Sequence, residues 1–180
     1  MNEQEATSLV KQGGVGSVTN NVILNVPSKS SNEMLAMTKV ISYLSEEAEK
    51  TDEVLDLTRE RDWNKKINER FISYKPQIMN ELQTLTPLYK DKYRLAWSQS
   101  NVSEGRRDEI NALLSIRSRS ALTEANGDPI KALDGLTKWL CEEASKNQDS
   151  GKQYSEAAVR FFLHTEFQRC NVFPNEVYAT

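Results

Sequence analysis

The chain has few of the side chains from which catalytic and metal sites are commonly built. Its 180 residues include one histidine, His164, and two cysteines, Cys141 and Cys170, which form no CxxC motif. A structural zinc site needs several such ligands, and a nucleophile needs a base that accepts a proton near neutral pH. We therefore predict no catalytic residue, no metal site and no cofactor. We interpret both thiols as buried and His164 as a partly buried or surface residue of a helix.

Sequence motifs for nucleotide binding and hydrolysis are missing as well. The chain has no P-loop, no GxGxxG after a strand, no GxSxG and no HExxH, and its GGVGS run at 13–17 lacks the P-loop lysine. Adjacent carboxylates on a helix point about 100° apart and rarely converge, so solvated faces explain the acidic pairs better than an active site does. An enzyme with an unrecognised carboxylate site remains an open alternative. The pairs are Glu46/Glu47, Asp52/Glu53, Asp108/Glu109 and Glu142/Glu143.

Charge and hydropathy argue against a protein that coats nucleic acid or crosses a membrane. The formal net charge is −3, whereas coating nucleic acid needs a dense basic surface. No apolar run approaches the ~20 residues of a membrane span, and the first residues do not follow the pattern of a secretory signal. We expect a cytoplasmic protein without membrane contact.

Residues 1–31 differ in composition from the rest and are predicted to form an N-terminal arm. Glycines are followed by valines, isoleucine and leucine, and the pair Asn20-Asn21 can adopt positive φ, so 17–26 can form a short β-hairpin. A flexible or extended leader is the alternative. If the arm orders on a partner, Val22, Leu24 and Val26 are its candidate partner-binding residues, for example by adding a strand to an exposed sheet edge.

Residues 32–180 show helical periodicity and are predicted to form one bundle domain. Apolar residues recur at steps of three and four, which gives each segment one buried face. Several such helices joined by short polar loops indicate an all-α fold, an antiparallel multi-helix bundle. The stripes are Met37, Val40, Ile41, Leu44 and Ala48; Trp63, Ile67, Phe71, Tyr74, Ile78, Leu82 and Leu85; Ile110, Leu113, Leu114 and Ala121; Ile130, Leu133, Leu136, Leu140 and Ala144; and Val159, Phe162, Leu163, Phe167 and Cys170.

Prolines divide this domain into helices. Pro76 lies within the second stripe and predicts a bend near Ile72–Tyr74, with a complete break as the alternative. Thr86-Pro87 and Asp128-Pro129 each predict an N-cap followed by a first helical residue, where proline's missing N–H costs nothing. Asn126-Gly127 predicts a helix end, because glycine accepts the left-handed conformation that follows one.

Four arginines make the segment 106–119 the most basic part of the chain. Arg106, Arg107, Arg117 and Arg119 are weak candidates for nucleic-acid binding, because guanidinium groups match phosphate oxygens. They do not share one helix face and carboxylates lie among them. Structural ion pairs or partner contacts are therefore favoured, and any DNA contact is expected to be indirect or minor.

The C-terminal stretch continues beyond the last helical stripe into an aromatic, proline-closed tail. Phe173 lies past the helix end, so it either packs back on the bundle or inserts into a neighbouring subunit. On the second reading Asn171, Val172 and Phe173 are partner-binding residues. His164 and Cys170 are six positions apart on different helix faces, which offers no metal or nucleophile chemistry.

The stretch at 161–176, FFLHTEFQRCNVFPNE, resembles the terminal helix and tail of small helical components in ABC-three-component, Lamassu-like bacterial defence systems. In that family an SMC-like ATPase senses foreign DNA, an effector such as a nuclease attacks, and a small helical component joins them. The resemblance implies a non-catalytic accessory subunit whose partners are the SMC-like ATPase and the effector. A small DNA-binding or regulatory helical module is the alternative from another class.

Overall fold

The computed structural model describes residues 28–51, 62–146 and 155–174 of the chain. These residues form helices and turns without a strand, which confirms the predicted all-α class. The predicted hairpin at 17–26, with Val22, Leu24 and Val26, lies outside the described residues. The helices are α1 (Ser28–Glu49), α2 (Trp63–Lys65), a π-helical turn (Lys66–Arg70), a 3-10 turn (Ile72–Tyr74), α3 (Lys75–Gln99), α4 (Glu104–Glu124), α5 (Pro129–Ser145) and α6 (Glu156–Gln168).

Helix α1 lies at the centre of the bundle. It packs against α3, α4, α5 and α6. Its predicted stripe is confirmed, since Met37, Val40, Ile41, Leu44 and Ala48 are all buried. A helix surrounded by four others must bury most of its circumference, and Ala36 beside this stripe is buried as well.

The turn between α4 and α5 has the glycine after the helix end and the aspartate N-cap that the sequence predicts. Gly127 adopts φ +82° and its N–H donates to the Leu122 carbonyl at 2.8 Å, which closes α4. The Asp128 side chain then accepts from the N–H groups of Ile130 and Lys131 and caps α5, whose first residue is Pro129. This short connection places α4 and α5 side by side, and they pack against each other.

The helix is interrupted completely before Pro76, which was the alternative prediction. It does not continue through this region as one bent helix. α2 passes directly into the π-helical turn, which ends at Phe71 with φ −118° and ψ 28°, and the 3-10 turn follows. Pro76 lies in the first turn of α3, where its missing N–H leaves no hydrogen bond unmade. Ile67 and Phe71 still face the core because the change of pitch keeps both on the inner side.

The predicted helix start at Thr86-Pro87 is wrong, because α3 runs through both residues. The buried residues Ile78, Leu82 and Tyr89 continue one face of α3 across Pro87, which is itself exposed. Packing of that face therefore outweighs the hydrogen bond that proline removes. The carbonyl that loses its donor is that of Gln83, an exposed residue, where water can supply a partner.

None of the described helices combines the length and the apolar character that a membrane crossing requires.

Replacing Pro87 by alanine should stabilise the protein. The substitution restores an N–H donor on the exposed side of α3 and removes the clash of the ring with the preceding turn, for a gain of about 1–3 kcal/mol. The gain stays below the full proline penalty because alanine also gives the unfolded chain more freedom. Urea unfolding measures it, with Lys90→Ala as the control on an exposed position of the same helix. A Pro87→Ala protein no more stable than wild type contradicts the prediction.

Candidate functional site

Helix α6 ends in a chain reversal that positions the C-terminal tail, residues 170–174. Ser155 caps the start of α6 by accepting from the Ala158 N–H. At the other end Cys170 adopts φ +60° and the Asn171 N–H donates to the Glu166 carbonyl at 2.9 Å. This is the hydrogen-bond pattern with which helices commonly end, except that cysteine takes the left-handed position where glycine is usual. The tail therefore turns back toward α4 and the π-helical turn.

Side chains from other elements fasten this tail along its length. The Phe173 N–H donates to Ser118 Oγ at 2.9 Å, and Ser115 Oγ donates to the Asn171 carbonyl at 2.9 Å. Arg70 donates to the Pro174 carbonyl at 2.8 Å. Backbone groups of an irregular segment are thus satisfied inside the protein, which is the condition for burying it.

The tail is anchored by an aromatic cluster. Phe173 is fully buried, with its ring centroid 5.9 Å from that of Phe71 and 5.3 Å from that of Phe167. The ring centroid of Trp63 lies 5.1 Å from that of Phe167, with perpendicular ring planes. Edge-to-face rings at these separations add to the stabilisation from area burial.

This arrangement is the first of the two alternatives for the tail, in which it packs back on the bundle. Asn171, Val172 and Phe173 are all buried within their own chain. The reason is the chain reversal at Cys170, which brings apolar side chains beyond the helix end onto the bundle. In this conformation none of the three is accessible to another protein.

Lys66, on the π-helical turn, is buried beneath the tail with 1% of its surface exposed. Its Nζ donates to the Phe167 carbonyl at 3.1 Å and to the Val172 carbonyl at 2.6 Å, and lies 4.4 Å from the Phe167 ring centroid. Burial lowers the pKa of this amine from 10.5 to about 7, against the opposing effect of the Cys170 side chain. Lys66 thus joins the end of α6 and the tail to the segment before α3.

Lys66 was not found from the sequence, although a signal for it exists. It falls between Trp63, Ile67 and Phe71 at helical spacing, so its position belongs to the apolar stripe. A lysine on such a stripe is normally expected to extend its amine to solvent.

A second buried polar group, Glu166, connects α6 to α3 and the tail. It is completely buried. Its carboxylate accepts from the Tyr93 hydroxyl and from the Asn171 side-chain amide, the latter at 2.6 Å, with the Arg169 guanidinium 4.0 Å away. Burial, followed by the negative charge of Glu166, raises the pKa of Tyr93 above its usual value. Glu166 therefore has a structural role, because its hydrogen bonds connect α6 to α3 and to the tail.

The single histidine is fully buried, unlike the partly buried or surface position that we expected. His164 Nε2 lies 2.6 Å from Glu81 Oε2, and Arg160 Nε donates to the same oxygen at 2.9 Å. Arg160 also reaches Asp134 at 2.8 Å. The hydrogen bond from His164, supported by Arg160, lowers the pKa of Glu81 from 4.5 to about 2. These residues form an ion-pair network between α3, α5 and α6, beside a cleft of about 420 Å³.

The four arginines of α4 are not gathered into one basic surface. Arg106 pairs with Glu109 at 2.5 Å and lies 3.7 Å from Glu49. Arg107 stacks 4.3 Å from the Trp97 ring and Arg117 lies 5.4 Å from the Trp139 ring. Arg119 is exposed on another side of the helix. The contacts of Arg106, Arg107 and Arg117 agree with structural roles better than with a phosphate-binding face.

The described residues hold no group of three potential metal ligands from histidine, cysteine, aspartate and glutamate. Both cysteines are free thiols. Cys170 is buried as expected, but Cys141 is only half-buried. Burial, with contributions from Glu156 and Glu142, raises the pKa of Cys141 to about 11, so this thiol is a poor nucleophile at neutral pH.

Comparisons of the chain with protein-family models, with curated proteins and with solved structures found no match.

Phe173→Ala should destabilise the protein strongly. Truncating a fully buried phenylalanine removes its transfer free energy and leaves a cavity next to Phe71 and Phe167, which costs about 3–5 kcal/mol. Thermal and urea unfolding measure the loss. Ile72→Ala is the control, because Ile72 is 61% exposed and its truncation should change stability by less than about 0.5 kcal/mol. Equal, small effects of the two substitutions would show that the tail does not pack as described.

Glu81→Gln should remove part of the protein's sensitivity to acid. Because the folded-state pKa is about 2 and the ordinary value is 4.5, the ionised group stabilises the fold above pH 4.5 and loses this effect as the pH falls toward 2. The difference in unfolding free energy between wild type and Glu81→Gln should therefore shrink over that interval. Glu69→Gln, at an exposed carboxylate, is the control. A difference that stays constant from pH 6 to pH 2 is incompatible with the network.

Proposed function

We propose that this chain is a non-catalytic accessory subunit of a bacterial anti-phage or anti-plasmid defence complex of the ABC-three-component, Lamassu-like type. In this role it bridges an SMC-like ABC ATPase and an effector such as a nuclease, and restrains the effector until DNA is sensed. The resemblance of FFLHTEFQRCNVFPNE to the helical components of these systems carries the proposal.

The described part of the stretch FFLHTEFQRCNVFPNE lies in the core of the bundle, which supports a structural role for these residues. Phe162, Phe167 and Phe173 are in the core, and Glu166 and Asn171 bond to each other inside it. These contacts hold the helix and its tail in place. A small helical component that serves as a scaffold needs such a constraint, and it needs no reacting group.

The use of the buried polar side chains also favours a scaffold over an enzyme with an unrecognised carboxylate site. Lys66 bonds to two carbonyls, Glu166 to Tyr93 and Asn171, and His164 to Glu81. Catalytic groups are normally directed at a cleft where a substrate can reach them. Of these side chains, Glu81 and Asn171 border clefts. One carboxylate oxygen of Glu81 is bound by His164 and Arg160, and the Asn171 amide donates to Glu166.

One exposed surface of α3 suits a helical partner. Leu88 is 56% exposed and Leu95 is 48% exposed, and the two are one heptad apart, so they lie on the same side of the helix. Exposed leucines at this spacing gain free energy when a second helix covers them. We assign this leucine pair to contact with a helical segment of the SMC-like ATPase, which leaves Val22, Leu24 and Val26 of the arm for the effector.

Co-expression with the products of the flanking genes tests the proposal. The tagged chain should co-purify with an SMC-like ATPase and with a second protein that carries effector motifs. A chain that remains alone in this experiment overturns the assignment to a defence complex. Genes beside it that encode neither type of protein overturn it too.

A double variant and its control test whether Leu88 and Leu95 contact the ATPase. This test is separate from the test of the accessory role. Leu88→Ser with Leu95→Ser should reduce recovery of the ATPase at least tenfold, with little change in the melting temperature because both side chains are exposed. Gln83→Ser with Lys90→Ser, at exposed positions of the same helix, is the matched control. If the double leucine variant still recovers the ATPase, the contact lies elsewhere and the accessory role stands.

The DNA-binding alternative is tested with the same protein. Replacing Arg106, Arg107, Arg117 and Arg119 by glutamine should leave the affinity for duplex DNA unchanged. A protein that binds duplex through α4 would instead lose affinity and show a smaller salt dependence. That result would favour a DNA-binding module.

A further inference from the structure

Lys66 is buried with two carbonyl partners that an uncharged amine can satisfy. A neutral primary amine has two N–H donors and one lone pair, whereas an ammonium has three donors and no acceptor. The Phe167 and Val172 carbonyls take two donors. The Cys170 side chain favours the charged form and opposes the larger effect of burial. Loss of the charge therefore leaves both carbonyls with their donors.

Among the described residues no carboxylate forms an ion pair with Lys66, and Arg70 on its own turn is a like charge. Glu166, the acid on α6 beside the tail, directs its carboxylate to Tyr93 and Asn171. The α4 side chains that hold the tail, Ser115 and Ser118, are neutral. The Phe167 ring and the Cys170 side chain favour a positive charge here, and together they offset only part of the cost of burial.

We propose that Lys66 is uncharged when the tail is closed over it, so that closing the tail releases a proton to solvent and the tail acts as a pH-sensitive latch. Opening residues 170–174 removes the Val172 carbonyl and exposes the amine to water, where it takes up a proton again. The switch depends on where the tail lies and is independent of any assignment of function.

The direction of the switch follows from proton linkage. The amine has a pKa of about 7 in the closed state, and in the open state it returns toward the ordinary 10.5. Between these values the open state binds more protons, so closing is favoured as the pH rises, by up to tenfold per pH unit. Below pH 7 both states are protonated and the dependence ends. The latch is thus looser at neutral pH and tighter under alkaline conditions.

The other hydrogen bonds that hold the tail do not produce this dependence on pH. Ser115 and Ser118 do not titrate in this interval, and the Arg70 guanidinium that holds the Pro174 carbonyl remains charged throughout it. The Cys170 thiol is the remaining titratable group of the tail. The experiment therefore includes a Cys170→Ala protein.

Hydrogen exchange of the Asn171, Val172 and Phe173 amides, corrected for intrinsic rates, tests the latch from pH 7 to pH 9. Protection should rise by up to tenfold per pH unit in wild type and in Cys170→Ala, and should stay flat in Lys66→Met. Lys65→Met, at the adjacent exposed lysine, should behave as wild type. Flat protection in wild type, or a rise that persists in Lys66→Met, overturns the proposal.

Two further measurements keep the test decisive. If Lys66→Met does not fold, the ¹⁵N resonance of Lys66 Nζ in wild type at pH 8.5 reports the charge directly, and an ammonium shift overturns the proposal. Amides of the α1 core, such as that of Leu44, show whether the tail opens separately. Tail amides that exchange only with the same free energy as Leu44 mean global unfolding, which also overturns the latch.

Discussion

The position of the tail depends on the two hydrogen bonds from Lys66 to the carbonyls of Phe167 and Val172. These bonds connect the segment before α3 with the end of α6 across about a hundred residues of sequence, inside an aromatic cluster that excludes water. The Phe167 carbonyl also accepts from the Cys170 N–H at 3.0 Å, whereas the Val172 carbonyl lies in the irregular tail beyond the helix. The buried amine gives the Val172 carbonyl a donor, so that the tail can cover the core with this group satisfied.

Polar groups elsewhere in the interior work in the same way, which gives this helical protein a specific arrangement of its helices. Glu166 holds α3 and the tail, Glu81 joins His164 and Arg160 between helices, and the serines of α4 receive and donate at the tail. Apolar faces alone would pack in several rotations with similar free energies. A buried carboxylate or amine tolerates only the rotation in which its partners are present, since leaving it unpaired costs several kcal/mol.

Local signals in the sequence predicted the structure correctly where the deciding interactions lie within a single helix or turn. The stripe of α1 and the turn at Asn126-Gly127-Asp128-Pro129 are confirmed because periodicity, a left-handed glycine and a capping aspartate act within a few residues. The helix start predicted at Pro87 is wrong because the buried face of α3 continues across it and packs against other helices. That packing is a tertiary effect. Periodicity places Lys66 on a buried stripe, and the sequence leaves Phe173 between two alternatives. The partners of Lys66, Glu166 and Phe173 were not predicted, since they include groups far away in sequence that only the folded chain brings together.

The π-helical turn at Lys66–Arg70 has a consequence for the length of this segment. A π-turn holds one residue more than an α-turn of the same rise, so it resembles a helix with a single inserted residue. Removing one residue from it would let α2 continue as a regular α-helix, in which Lys66 and Phe71 would be four positions apart and would still share one face. In the regular helices, by contrast, a deletion rotates every following side chain by about 100° relative to the preceding ones. A deletion at the exposed Asn68 or Glu69 should therefore disturb the core less than a deletion inside α3 or α4.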